Sequence, residues 1–82
     1  MWYVYIVECK DQTYYTGITQ NLERRINEHN ANNTTGARYT RTRRPVRLVY
    51  SQTEESRSKA LKREFEIKRL PRETKKKLIM SR

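Results

Sequence analysis

The chain has 82 residues, 19 basic and nine acidic, which gives a formal net charge of +10 at pH 7. A chain of this length can bury one modest core, so we expect a single domain over residues 1–82. The lone Cys9 excludes an internal disulfide, and no Cys/His cluster has the spacing of a structural zinc site. No apolar run is long enough to span a membrane and no secretory segment is present, so the composition predicts a cytoplasmic protein without a membrane partner.

The basic excess is concentrated in residues 38–47, which contain five arginines and no acid. A patch of this kind most often binds nucleic acid, and less often an anionic membrane surface. The membrane interpretation is weak, because neither candidate helix combines an aromatic apolar face with a uniformly basic polar one. We therefore predict nucleic-acid contacts from Arg38, Arg41, Arg43, Arg44 and Arg47.

The first part of the chain reads as a β-hairpin. Residues 2–9 are aromatic and β-branched, with apolar side chains on both faces, which is typical of a strand covered from both sides. Residues 10–13 form the turn, and residues 14–18 form the returning strand. A loop of odd length would place Tyr5 and Tyr15 on the same face of the sheet.

Two segments follow the hairpin. Thr19 is expected to cap a helix that runs to about Asn32, with Leu22, Ile26 and His29 on one side at helical spacing. Residues 32–44 are polar and basic without periodicity, which predicts a loop that includes one short helical turn around Tyr39.

The last part of the chain predicts a third strand and two helices. The strand covers residues 46–50, and a helix with acids in its first turn covers residues 54–70. Pro71 opens a helical C-terminal extension over about residues 71–80, whose lysine run is most simply a solvated face. The order β-β-α-β-α-α predicts an α+β fold with a small, three-stranded, mostly antiparallel sheet flanked by helices.

One carboxylate in the predicted second long helix is out of place. At about 100° per residue, Glu64 falls in the middle of an apolar face, while Glu66 points to the opposite side. Unpaired buried carboxylates are costly, so Glu64 is either a functional group or half of an ion pair with Lys68 or Arg57. The apolar face consists of Ala60, Leu61, Phe65 and Ile67.

Several short motifs lie at a characteristic spacing. Tyr3-Val4-Tyr5 is followed ten residues later by Tyr15-Thr16-Gly17, then by Arg25 eight residues past the glycine and by His29 one helical turn on. With Glu64 in a later helix, these motifs resemble the GIY-YIG nuclease family over nearly the whole chain. The small, stand-alone, single-domain bacterial members of that family are the most similar.

The resemblance implies a metal-dependent endonuclease that hydrolyses phosphodiester bonds, with DNA expected rather than RNA. Glu64 would hold one divalent ion, Mg²⁺ or Mn²⁺, and Arg25 would bind phosphoryl oxygens through two hydrogen bonds. Tyr5 is the first choice for the general base, assisted by Tyr15 and His29, provided that nearby positive charge or metal lowers its pKa. The implied catalytic set is Tyr5, Tyr15, Arg25, His29 and Glu64.

Alternatives remain open for each group. Tyr5 and Tyr15 are also compatible with core packing, and His29 with a hydrogen-bonded packing role. Gly17 either relieves a strand end or lets a phosphate approach the backbone. The alternative function is a nucleic-acid-binding module that keeps the scaffold without turnover. For either function, specificity would come from nucleic-acid structure, from a protein partner or from nothing at all, and the protein would be a monomer or a weak dimer.

Overall fold

The computed structural model describes residues 1–31 and 38–81. Its elements follow the predicted order, with one additional four-residue helix before the third strand. The predicted α+β fold is confirmed. The elements are β1 Trp2–Glu8, β2 Tyr14–Thr19, α1 Leu22–Ala31, α2 Arg38–Arg41, β3 Arg47–Glu54, α3 Arg57–Lys68 and α4 Arg72–Met80.

The sheet has the strand order β2-β1-β3, and both strand pairs are antiparallel. In the β1–β2 pair, Tyr5 lies opposite Gly17 and Val7 lies opposite Tyr15. Paired residues share a face, and so do residues two apart in one strand. Tyr5 and Tyr15 are therefore on the same face, as predicted from the hairpin.

The central strand β1 separates two hydrophobic clusters, which confirms that it is covered from both sides. On one face Val4 and Ile6 are fully buried, together with residues of α3, and α4 packs against the same cluster through Leu78 and Ile79. On the other face Tyr5 and its neighbours pack against α1. Because successive side chains of a strand point to opposite faces, alternate residues of β1 serve the two clusters.

The start of α1 differs from the prediction. Asn21 caps the helix, since its Oδ1 accepts a hydrogen bond from the Arg24 amide at 3.0 Å. The Thr19 hydroxyl instead accepts from the Asn21 amide at 3.1 Å, which tightens the turn that leads into the helix. The helix ends at Ala31, and the predicted end at Asn32 lies outside the described residues.

The boundary between β3 and α3 also lies elsewhere than predicted. Strand β3 continues to Glu54, and α3 begins only at Arg57, where the Ser56 hydroxyl accepts from the Lys59 amide. The predicted acids in the first turn are therefore wrong, because Glu54 belongs to the strand and Glu55 precedes the helix. The helix ends at Lys68, two residues earlier than predicted.

The apolar face predicted for α3 is partly wrong. Ala60 and Ile67 are fully buried, whereas Leu61 is 37% exposed and Phe65 is 62% exposed. The Phe65 ring has the Arg69 guanidinium 5.4 Å from its centroid in place of core neighbours. The helix therefore turns toward the sheet the side that carries Ala60 and Ile67.

The short helical turn predicted around Tyr39 is present as α2, and Pro71 precedes α4 as its N-cap residue. Within residues 1–31 and 38–81, none of the helices has the length and apolarity that a membrane span requires.

Candidate active site

Tyr5 is the centre of the candidate site. It lies in the middle of β1 with only 1% of its surface exposed. Its hydroxyl is 2.8 Å from Nε2 of His29, and the two rings meet edge to face. The sheet therefore delivers a phenol to the imidazole of α1 inside the protein, where water does not compete for the hydrogen bond.

Gly17 makes room for that ring. It lies opposite Tyr5 in the β1–β2 pair, and a Cβ atom built on it would overlap the hydroxyl end of the Tyr5 ring. This gives the glycine a reason that the sequence did not suggest, since it admits the Tyr5 side chain across β2. Its predicted role as a place of phosphate approach stays a prediction.

His29 is fully buried and has one partner on each ring nitrogen. Nε2 lies 2.8 Å from the Tyr5 hydroxyl, and Nδ1 lies 2.8 Å from Oγ1 of Thr40 on α2. Burial lowers the pKa of His29 from 6.5 to about 4, and the positive charges of Arg25 and Arg44 act in the same direction. The imidazole is therefore neutral at pH 7.

The pKa of Tyr5 moves opposite to the expectation for a base. The pKa is raised from 10.0 to about 12, chiefly by burial and to a smaller extent by the carboxylate of Glu64. A hydrogen bond and the positive charge of Arg25 lower it, but they do not outweigh desolvation. Tyr5 is thus a protonated phenol at neutral pH.

Arg25 lies on the side of α1 that faces the site. Its guanidinium hydrogen bonds to the Tyr5 hydroxyl and forms an ion pair with Glu28 at 3.0 Å. The side chain is 23% exposed, compared with 69% for the neighbouring Arg24. The two adjacent arginines therefore differ in position, with Arg25 at the phenol and Arg24 in solvent.

Tyr15 completes the aromatic group. Its ring lies edge to face against His29 at 5.4 Å and stacks on Tyr39 of α2 at 5.8 Å. The ammonium of Lys68 lies 6.0 Å from the Tyr15 ring centroid, which brings α3 to the same region.

Glu64 projects from α3 with 17% of its side chain exposed. Its carboxylate is 3.4 Å from the Lys68 ammonium, so one of the two ion pairs considered from the sequence is present. Arg57, the other candidate partner, lies over the Trp2 ring. The negative charge of Glu64 also raises the pKa of Tyr5, so the carboxylate lies within electrostatic reach of the phenol.

A divalent ion would find few protein ligands among the described residues. In the part of the chain that the structure describes, no three His, Cys, Asp or Glu side chains come together as a metal site. Mg²⁺ commonly keeps several waters and binds through one or two carboxylates plus substrate phosphate. Glu64 could supply such a carboxylate. The Lys68 ammonium, which pairs with it at 3.4 Å, would have to move away when the ion binds.

The five arginines of residues 38–47 separate into two groups. Arg38 and Arg41 are exposed on α2. The other three form contacts within the protein. Arg43 pairs with Asp11 at 3.1 Å and donates to the Tyr39 carbonyl. Arg44 donates to the His29 carbonyl at 2.7 Å, and Arg47 pairs with Glu8 at 2.7 Å.

Two residues of α2 that contact the site were not singled out from the sequence. Thr40 is fully buried against His29, and Tyr39 stacks on Tyr15. The only signal for them is an aromatic and a hydroxyl residue inside a basic segment, which by itself indicates no contact with a residue 11 positions earlier.

The fold agrees with comparisons to known proteins. The GIY-YIG catalytic domain family matches residues 1–77, and the chain belongs to that family. A UPF0213 protein from Desulfotalea psychrophila is 58% identical over 78 residues, covering 95% of this chain and 70% of that protein. One from Staphylococcus haemolyticus is 55% identical over 80 residues, covering 98% and 95%.

A solved structure is similar as well. The solution NMR structure of the UPF0213 protein from Bacillus halodurans matches with a TM-score of 0.63 and 43% identity, covering 100% of this chain and 86% of that one. Family membership implies a nuclease-type activity on nucleic acid, and GIY-YIG nucleases generally depend on a divalent metal.

Proposed function

We propose that this chain is a metal-dependent endonuclease that hydrolyses phosphodiester bonds, with DNA as its expected substrate. The observation that carries the proposal is the buried hydrogen bond between Tyr5 and His29, with the Arg25 guanidinium on the same hydroxyl. A neutral phenol joined to a neutral imidazole can act as a base without either of the two groups being charged in the resting site.

The proton moves in two linked steps. As the Tyr5 oxygen accepts a proton from the attacking water, its own proton passes to Nε2 of His29, 2.8 Å away. Tyr5 remains a phenol and His29 becomes an imidazolium, so a free phenolate with its raised pKa is never required. The oxygen of the water forms a bond to phosphorus, the bond to the leaving oxygen breaks with its electron pair on that oxygen, and solvent water protonates it. The imidazolium of His29 then returns its proton to solvent through Tyr5.

Two further side chains act on the phosphate. Arg25 carries a planar guanidinium whose donors match phosphoryl oxygens, and it stabilises the charge that builds up on them. Glu64 would hold the divalent ion, which when bound supplies positive charge against the same oxygens.

A cleavage screen with a matched pair of variants tests the proposal. Purified protein is incubated with flaps, nicks, forks, single strands and RNA, with Mg²⁺ or Mn²⁺ and with EDTA. We expect cleavage of at least one substrate only with the metal. Glu64→Gln should abolish it, whereas Glu66→Gln should not, because Glu66 is 50% exposed and pairs with Arg63.

Three outcomes would count against the proposal. Cleavage that persists in EDTA contradicts the role of the metal. Tight binding without cleavage of any substrate favours the alternative of a binding module. If Glu64→Gln lowers the melting temperature but leaves the specific activity of the folded protein intact, Glu64 serves only its ion pair with Lys68.

A further inference from the structure

Thr40 sits at the far side of the His29 ring from Tyr5. Its Oγ1 is 2.8 Å from Nδ1, and both residues have no exposed surface. Helix α2 thus brings one hydroxyl to a ring nitrogen of His29, while β1 brings another to the opposite nitrogen. A neutral imidazole carries a single N–H, so one nitrogen donates and the other accepts.

The neighbours of Tyr5 indicate which nitrogen accepts in the wild-type protein. The Arg25 guanidinium hydrogen bonds to the Tyr5 hydroxyl, and a guanidinium can only donate. The Tyr5 oxygen therefore accepts from Arg25, and its own proton points to Nε2 of His29. Nε2 is the acceptor, so the hydrogen of the imidazole is on Nδ1 and is donated to the Thr40 oxygen.

We propose that Thr40 is a positioning residue that holds His29 in the Nδ1–H tautomer, so that Nε2 stands ready to accept the proton of Tyr5 during cleavage. This inference rests on the proposed function for its consequence, but the tautomer itself does not depend on turnover. The Thr40 oxygen accepts from Nδ1–H both before and after Nε2 is protonated. No hydrogen bond on that side has to be rearranged during the reaction.

The charges around His29 make the Thr40 hydroxyl an important hydrogen-bond partner of the imidazole. Arg25 on α1 and Arg44 before β3 disfavour the imidazolium, while Glu28 favours it. Tyr5 and Tyr15 face the ring from the sheet. Among these groups, the Thr40 oxygen is the one that accepts directly from Nδ1 at 2.8 Å.

The test uses the fact that His29 is the only histidine in the chain. Protein labelled with ¹⁵N-histidine gives the two ring-nitrogen shifts of one residue, which report where the hydrogen resides. We compare the wild type with Thr40→Val, which keeps the shape but cannot accept, and Thr40→Ser, which restores the hydroxyl. Thr42→Val, at an exposed threonine two residues on, is the control.

We expect a hydrogen on Nδ1 in the wild type, in Thr40→Ser and in Thr42→Val. In Thr40→Val the Nδ1–H form should lose its dominance, and the cleavage rate should fall roughly 10- to 100-fold, as for an unpaired buried donor worth about 1–3 kcal/mol. Thr40→Ser should retain most of the wild-type rate.

The two readouts separate the possible failures. A wild-type spectrum with the hydrogen on Nε2 overturns the inference, even if Thr40→Val does not fold. An unchanged tautomer in folded Thr40→Val overturns it as well. If the spectra agree with expectation but the wild type cleaves nothing under the conditions of the screen, the proposed function fails and the tautomer assignment stands.

Discussion

Tyr5 and His29 are both kept neutral by the same cause. Burial raises the pKa of the phenol to about 12 and lowers the pKa of the imidazole to about 4. At any pH between these two values, both groups are uncharged and one hydrogen bond joins them. The lasting charges near them belong to side chains closer to solvent, chiefly Arg25 and Glu64.

Gly17→Ala should disrupt the site without removing a reactive group. Its Cβ would overlap the end of the Tyr5 ring, so the hydroxyl would be displaced from His29. We expect cleavage to fall by about 100-fold or more, as when a positioned base is lost. The free energy of unfolding should fall by about 1–3 kcal/mol, as in other overpacked cores. Cleavage rates and denaturant melts measure the two effects.

A double-mutant cycle supplies the control for Gly17→Ala. Tyr5→Phe removes the atom that the new methyl group overlaps most, so the double variant should lose less stability than the sum of the two single variants. Additive losses would show that the alanine acts on some other part of the structure.

The positions of Tyr5, Tyr15 and Gly17 could be predicted from the sequence because the side-chain period of a strand is two, and a hairpin register relates one strand to the next. The contact between Thr40 and His29 could not, since a four-residue helix has no periodicity to read. Its position depends on how α2 packs against α1 in three dimensions.

At the scale of elements, the orientation of α3 shows where sequence reasoning reaches its limit. The spacing predicted the helix, but Leu61 and Phe65 lie to one side of the true contact with the sheet. At 100° per residue the apolar side chains cover an arc of about 160°, which is wider than the contact with the sheet, so the pattern does not mark the buried centre. Contact with β1 and β2 decides it, through Ala60 and Ile67.

This orientation of α3 predicts losses of stability of different size when two nearby apolar residues are replaced by alanine. Ile67→Ala should destabilise the protein by about 2–5 kcal/mol, because it empties a buried position. Phe65→Ala should cost less than about 1 kcal/mol, although it removes the larger side chain, since the ring is 62% exposed. Urea unfolding of both variants decides the matter, and equal losses would place Phe65 in the core.

The arginines of residues 38–47 should also differ in role according to the element that carries them. Arg38 and Arg41 are exposed on α2, whereas Arg44 donates to the His29 carbonyl. Replacing both α2 arginines by alanine should weaken nucleic-acid binding and flatten the log-log salt dependence by up to about two units, if both contact phosphates. Binding measured across a salt series tests this.

Arg44→Ala is the matched control within the same segment. It removes a hydrogen bond that ties this segment to α1, so we expect a lower melting temperature and little change in the salt slope. A slope that changes for Arg44→Ala but not for the α2 pair would move the nucleic-acid surface away from α2.

At the scale of the whole molecule, burial of His29 makes stability depend on pH. Below pH 6.5 the unfolded chain protonates the imidazole, whereas the folded protein keeps it neutral down to about pH 4. The unfolded state then binds more protons, so the free energy of unfolding falls as the pH drops from 6.5 to about 4, by up to roughly 3 kcal/mol. Above pH 6.5 this contribution is fully present.

His29→Gln isolates that dependence, because glutamine does not titrate. Urea unfolding at pH 7, 5.5 and 4.5 should show a flatter profile for the variant than for the wild type. Carboxylates with a lowered pKa, such as Asp11, contribute to both profiles alike. Parallel profiles would mean that His29 is not the group responsible.

The central position of β1 governs the order in which the fold is completed. Residues 3–8 pair with nearby β2, and residues 2–8 pair with β3, which begins only at Arg47. During synthesis the hairpin is made first, and one edge of an almost wholly buried strand stays unpaired until β3, residues 47–54, has been made. A chain that ends before β3 leaves the backbone N–H and C=O groups of this edge unpaired, so we expect such a truncated chain to associate with other copies through β1.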